Sequence, residues 1–176
     1  MRKLVESTFV TLDGVISSPH VWGSPYWNEE HDAYAHDLLF AADELLLGRV
    51  TYEGFAQSWP SRSDEYADRI NGLPKHVAST TLTETTWNAT VIEGDVADHV
   101  GKLKEEPGGN ILKFGTGELD RMLLRHNLID ELHLWVFPVL AGDGDRLLDG
   151  IDTTHLRLIG TKPFSTGIVV LTYAPK

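Results

Sequence analysis

The sequence predicts an α/β fold of three layers: a mostly parallel central sheet of about eight strands, helices on both faces, and an antiparallel C-terminal end. Three observations predict it. Short apolar runs rich in β-branched residues alternate with helical patterns through roughly the first 130 residues, as crossover connections between parallel strands require. The last three runs follow one another without an intervening helix, so that end should be antiparallel. Finally, 41% hydrophobic and 23% charged residues in 176 positions, with no low-complexity tract, suit a globular protein with a real core. The chain reads as a single domain spanning 1–176, without internal repeat or long linker.

The first strand is expected at Leu4–Val10. A helical pattern follows at Asn28–Ala41, then a leucine-rich strand at Glu44–Leu47 and a helix at Val50–Ser58. A weaker helical pattern at Asp64–Asn71 precedes strand Lys75–Ala78, and strand Ala89–Ile92 precedes a helix at Asp95–Glu105. Glu106-Pro107-Gly108-Gly109 is the turn into strand Asn110–Phe114. The helix at Gly117–His126 carries Leu119, Met122, Leu123 and Leu124 on one side, and strands at Glu131–Val136, Leu156–Ile159 and Ile168–Tyr173 complete the set. Pro138 has no N–H to give a ladder, so it marks a strand end or an edge. An edge near Pro138–Gly144 would be open to a second subunit or to a covering loop.

Composition removes several classes of function. A formal charge of −11, with 15 Lys and Arg that never cluster, argues against a nucleic-acid partner. The absence of Cys removes disulfides, thiol nucleophiles and thiolate metal sites, and fits a reducing cytoplasm. The opening MRKLVESTFV is too short and too polar for a signal peptide, and no apolar run approaches the roughly 18 residues of a membrane span. The expected location is therefore cytoplasmic. Eight histidines lack an HExxH pattern, and His31 and His36 fall on different sides of their helix, so a structural or surface role is expected rather than a metal. Asp143-Gly144-Asp145 lacks the later ligands of a calcium loop and reads as a turn. Neither a G-x-S-x-G elbow nor a GxxxxGK(S/T) phosphate loop is present.

Four segments share one design, a strand C-terminus followed by glycine or hydroxyl residues. In Gly48-Arg49-Val50-Thr51, Gly48 permits a sharp turn, Thr51 sits in the first helical turn, and Arg49 brings a planar donor fork suited to phosphate. The same residues also describe a plain turn with a solvated arginine. In Phe114-Gly115-Thr116-Gly117, two glycines around a threonine would let a diphosphate approach the backbone. Ser79-Thr80-Thr81 offers three hydroxyls to a ribose or a 2′-phosphate. Thr11-Leu12-Asp13-Gly14-Val15-Ile16 is an apolar loop with one acid. Ligands in open α/β sheets bind outside the carboxyl ends of the strands, so the four together point to a dinucleotide. Arg49, Arg62, Lys75 and Lys113 are the expected local offsets to its negative charge.

Asp32 needs separate treatment. On the Asn28–Ala41 helix it lies about 20° from Leu39, beside the apolar stripe, where a carboxylate could carry a shifted pKa. It is equally an acid of the first helical turn, stabilised by the macrodipole with Glu29 and Glu30.

The segments TLDGVI (Thr11–Ile16), ADELLLGRVTYEGF (Ala42–Phe55), LPKHVASTTL (Leu73–Leu82), ILKFGTGELDRMLL (Ile111–Leu124) and LIDELHLWVFPVLAGDGDRLL (Leu128–Leu148) carry a family resemblance. Together they resemble the dihydrofolate reductase-like family, in the branch of the C-terminal reductase domain of bifunctional riboflavin-biosynthesis enzymes. The resemblance implies NADPH, with Gly48, Arg49, Thr51, Ser79 and Thr80 around the adenine-side phosphates and Gly115, Thr116 and Gly117 at the diphosphate. Nicotinamide would sit near Thr11, Leu12 and Ile16, with Asp13 and Gly14 shaping the mouth. Trp27-Asn28 followed by Asp32 echoes folate reductases, where the acid anchors the pterin and assists protonation. The Asp13-Gly14 loop and Leu128–Leu148 look instead like the pyrimidine reductase branch. The expected activity is hydride transfer to a small heterocyclic or nucleotide-like substrate, of the 5-amino-6-(5-phosphoribosylamino)uracil reductase type, by a homodimer. Reduction of a pterin and a non-catalytic dinucleotide-binding module are the alternatives.

Overall fold

The computed structural model describes residues 1–176. Eight strands form one sheet: β1 (Leu4–Thr11), β2 (Ala42–Gly48), β3 (Lys75–Ala78), β4 (Ala89–Val91), β5 (Asn110–Phe114), β6 (Glu131–Phe137), β7 (Leu156–Pro163) and β8 (Val169–Pro175). Their order is β4-β3-β2-β5-β1-β6-β8-β7. The pairs from β4 through to β6 are all parallel, whereas β6–β8 and β8–β7 are antiparallel. The expected architecture is therefore the observed one.

The helices are α1 (Pro19–Trp22), α2 (Glu29–Phe40), α3 (Arg49–Ser58), α4 (Glu65–Gly72), α5 (Val96–Glu105) and α6 (Glu118–Arg125). Three begin one residue after the sequence pattern because its first residue is a cap. The Asn28, Asp64 and Asp95 side chains accept the backbone N–H of His31, Ala67 and Asp98. The sequence pattern missed α1 and the 3-10 turn Ser24–Tyr26. They are too short to show a period, and Trp22 and Tyr26 hold them edge-on against Phe137.

The leucines of β2 divide between two cores because successive strand residues point to opposite faces. Leu46 joins Leu4, Ile111 and Leu132 beneath Val100 and Leu103 of α5 and Leu123 of α6. Leu45 and Leu47 join Val5, Val77 and Leu112 beneath Leu39 of α2, Tyr52 of α3 and Ile70 of α4. A strand buried on both faces reads as a continuous apolar run, which is why LLL appears without alternation. Each fully buried leucine contributes on the order of 1.5–3 kcal/mol.

One expectation fails. Pro138 does end β6, but β6 lies between β1 and β8, so Pro138–Gly144 is not a sheet edge. Its backbone and that of the residues after it meet the Thr11–Ser17 loop instead, with Leu12 N–H donating to Val139 O and Ile16 N–H to Asp145 O. The outer strands are β4 and β7.

Candidate active site

The parallel strands end on one side of the sheet, and there the structure assembles the segments singled out above. Thr51 Oγ1, at the start of α3, lies 3.5 Å from the carbonyl of Phe114 and 3.5 Å from where a Cβ on Gly115 would stand. Gly115 itself has φ +71°, a left-handed conformation that favours glycine. Gly48 has an ordinary φ of −74°, so the turn does not demand glycine as expected. Its missing side chain matters differently: a Cβ there, or on Gly117, would meet nothing within 4 Å. The Thr116 Oγ1 is buried without a partner. Exposed Leu12, Val50 and Leu140 add an apolar rim just beyond β1, β2 and β6. Open backbone at two strand ends, one orphaned hydroxyl and an apolar rim fit a dinucleotide with a flat ring at one end. A separate hollow of about 350 Å³, lined by Leu132, Leu148, Ile151 and Leu156, lies toward the opposite ends of the strands and lacks these features.

Asp13 organises the mouth. Its carboxylate accepts the Thr11 hydroxyl at 2.6 Å and the backbone N–H groups of Ala141 and Gly142 at 3.0 and 2.7 Å. The hydrogen bond from Thr11, then those from Ala141 and Gly142, hold its pKa down at about 2. Arg146 donates to the Asp13 carbonyl, and Leu147 N–H donates to Gly14 O. Asp13 is thus an ionised clasp between two loops, a role for which its low basicity is suited.

The expected cations already have partners within the protein. Arg49 pairs with Glu53 at 2.9 Å on the surface of α3, and Arg62 stacks over Trp59. Lys75 is buried, donating to Leu73 O and Asn71 O beneath the Trp87 ring. Lys113 is buried as well. A formal count of charges overlooked the backbone carbonyls and acids that these side chains already serve. Ser79 Oγ accepts the N–H groups of Thr81 and Leu82, which shapes its turn, while Thr80 is exposed.

Of the two readings of Asp32, the structure bears out the acid of the first helical turn with Glu29 and Glu30, not the place beside the apolar stripe, since its side chain is 79% exposed. The buried stripe of α2 centres on His31, Ala35, Leu38 and Leu39, and α4 meets the Asp32 flank only from His36 onward, through His36–Glu65 and Phe40–Arg69 contacts. Asp32 sits a turn before that cover. His31 takes the inward position among Phe9, Trp27 and Trp135, with its Nδ1 3.2 Å from Asp32 Oδ1 and its Nε2 unpartnered. Burial pulls the His31 pKa down, against the opposing pull of Asp32.

A family model described as the RibD C-terminal domain matches residues 2–170. The chain belongs to this family. Two Bacillus subtilis proteins, the uncharacterized YyaP and YwjB, are 29% identical over 179 residues and 30% identical over 174. The matches cover 98% and 95% of this chain and 94% and 95% of theirs. Among solved structures, a Shewanella sp. PV-4 protein assigned by its name to riboflavin biosynthesis superposes with a TM-score of 0.80 at 23% identity, over 99% of both chains. A Thermotoga maritima diaminohydroxyphosphoribosylaminopyrimidine deaminase/5-amino-6-(5-phosphoribosylamino)uracil reductase gives 0.67 at 14%, over 99% of this chain and 57% of that one. Dihydrofolate reductase from Enterococcus faecalis, complexed with NADP(H) and RAB-propyl, gives 0.65 at 16%, over 99% and 96%. The RibD C-terminal domain thus has the dihydrofolate reductase-like fold that the sequence segments led one to expect.

In this RibD C-terminal domain the sequence reading named Lys113 but not the two acids it meets, Glu6 and Asp120. Glu6 of β1, Lys113 of β5 and Asp120 of α6 meet in the interior, with Lys113 Nζ 3.1 Å from Glu6 Oε2 and 2.9 Å from Asp120 Oδ2. Burial pushes the Glu6 carboxyl well above the ordinary range. Burial alone would lower the Lys113 ammonium, but Glu6 and Asp120 outweigh it and raise its pKa. The available signal was a charged residue inside each of two apolar strands, LVESTFVT and NILKF.

Proposed function

We propose that the chain, acting as one domain, is an NADPH-dependent reductase of a small heterocyclic or nucleotide-like substrate, of the 5-amino-6-(5-phosphoribosylamino)uracil reductase type. The observation that carries this reading is the meeting of Thr51 with the Gly115 turn beside open backbone at Gly48 and Gly117. Family membership supports the reaction class. Bound NADPH supplies the hydride. Gly115, Thr116 and Gly117 hold its diphosphate, and Gly48, Arg49, Thr51, Ser79 and Thr80 surround the adenine-side phosphates. For Arg49 this requires releasing Glu53, a cheap exchange for an exposed pair. Thr11, Leu12, Gly14 and Ile16 orient the nicotinamide, and Asp13 keeps their loop in place. The exposed Leu158 and Ile159 on outer strand β7 favour a homodimer, which sedimentation or light scattering would test.

Calorimetric titration with NADPH and NADH, followed by NADPH oxidation assays on dihydrofolate and on 5-amino-6-(5-phosphoribosylamino)uracil, tests the reading. The expected result is NADPH binding with turnover of the pyrimidine. Binding without turnover of either compound would favour a non-catalytic module, and no binding of either dinucleotide would end both readings.

A further inference from the structure

A buried trio of two acids and one lysine calls for a reason. Ion pairs removed from water seldom stabilise a fold better than apolar side chains of the same size, because desolvation offsets their attraction. Here all three members are at most 3% exposed. Their position supplies the reason: they lie directly beneath the Gly115–Gly117 turn. Lys113 Nζ donates to the Gly115 carbonyl at 2.5 Å as well as to Asp120. Asp120 Oδ2 in turn accepts the Gly117 N–H at 2.7 Å. The two glycines are therefore pulled inward from either side of Thr116, whose hydroxyl is left without a protein partner.

Electrostatics point the same way. Asp120 is in the first turn of α6, where an unopposed carboxylate would repel any anion approaching the positive end of the helix. Lys113 cancels that charge from below, and the burial that pushes the Glu6 carboxyl up favours its neutral form. The other acid of that turn, Glu118, is exposed and paired with Arg121 at 3.2 Å, so the helix end and turn are left able to attract an anion.

We propose that Lys113 and Asp120 are positioning residues for a dinucleotide diphosphate, fixing the Gly115–Gly117 turn in its receptive shape and cancelling the charge beneath it. The proposal rests on the reductase reading but concerns residues that touch neither cofactor nor substrate.

The test measures dissociation constants of NADPH and of adenosine 2′-phosphate, which has no diphosphate, for the wild type, Lys113→Met, Asp120→Asn and the core variant Leu123→Ala. The two network variants should weaken NADPH about tenfold or more and adenosine 2′-phosphate less than about twofold. Leu123→Ala should lower Tm and leave both constants unchanged. A folded Lys113→Met that binds NADPH as the wild type does overturns the proposal, as does an equal weakening of both ligands. If Lys113→Met does not fold, Asp120→Asn decides by the same criteria. A wild type that binds no NADPH would instead sink the reductase reading.

Discussion

The carboxylate of Asp13 accepts the backbone N–H of Gly142 at 2.7 Å, closing a contact across 129 positions of sequence. Through it the loop after β1 and the segment after β6 become one structure, and the mouth of the site inherits its shape from both.

Asp13→Ala should loosen this clasp. Amide exchange at Leu12, Ile16 and Leu147 should quicken, and kcat/KM of the proposed reduction should fall about 10- to 100-fold while the core stays folded. The pH dependence has a definite sign. A pKa lowered from 3.8 to about 2 contributes stability that is present above the unfolded value and lost as pH falls through the folded one. The clasp should accordingly persist at any pH above about 4.

Gly144→Ala and Gly54→Ala should move stability in opposite directions. Gly144 has φ +136°, and a Cβ there would stand 2.5 Å from Ser17 Oγ and 2.6 Å from Val15 Cγ1, so the substitution should cost about 1–3 kcal/mol. Gly54, inside α3, faces nothing within 4 Å and should gain about 0.4–1 kcal/mol as alanine. Chemical denaturation of the two variants checks both signs.

Lys113→Met should cost about 3–5 kcal/mol, because it leaves the Asp120 carboxylate buried and unpaired. Glu6→Gln should cost less than Lys113→Met, since burial favours the neutral acid and the amide keeps an acceptor for the Thr8 hydroxyl. A loss in Glu6→Gln as large as that in Lys113→Met would count against a neutral Glu6.

Arg49→Ala should leave stability within about 0.5 kcal/mol, given an exposed i,i+4 pair with Glu53. If Arg49 meets a 2′-phosphate, NADPH affinity should drop about tenfold with NADH nearly unchanged. Equal loss for the two dinucleotides would remove Arg49 from any role in choosing between them.

Acid should weaken the fold before the carboxylates titrate. Burial is the largest cause lowering both His31 and His99 below 6.5, so the unfolded chain binds more protons as pH falls from that value and stability declines with it. Tm should therefore drop between about pH 7 and pH 5.5, and His99→Gln should flatten the slope. His99 Nε2 lies 3.0 Å from His76 Nδ1, and after burial the His76 charge is the next cause holding the His99 pKa down.

How far the site could be read in advance differs residue by residue. The Gly115-Thr116-Gly117 turn was legible because a strand, a glycine pair and a helix are adjacent in the chain. Asp13 was visible as the single acid of an apolar loop, though not the Ala141 and Gly142 amides it binds. Asp32 had two readings, and only the first-turn acid holds, because a helical wheel gives the angle of a residue but not where the neighbouring helix stops covering it.

The sequence by itself determined the eight strands, the five longer helices and the parallel-to-antiparallel change, because apolar periodicity and glycine or proline punctuation act over a few residues at a time. Only the tertiary structure decided which charges remain available. Lys113 reaches Glu6 and Asp120, Lys75 reaches two carbonyls, and Pro138–Gly144 meets the loop after β1. Buried polar groups must find partners wherever the fold brings them, some near in the chain, as the Leu73 and Asn71 carbonyls are to Lys75, and some far, as Glu6 is from Lys113.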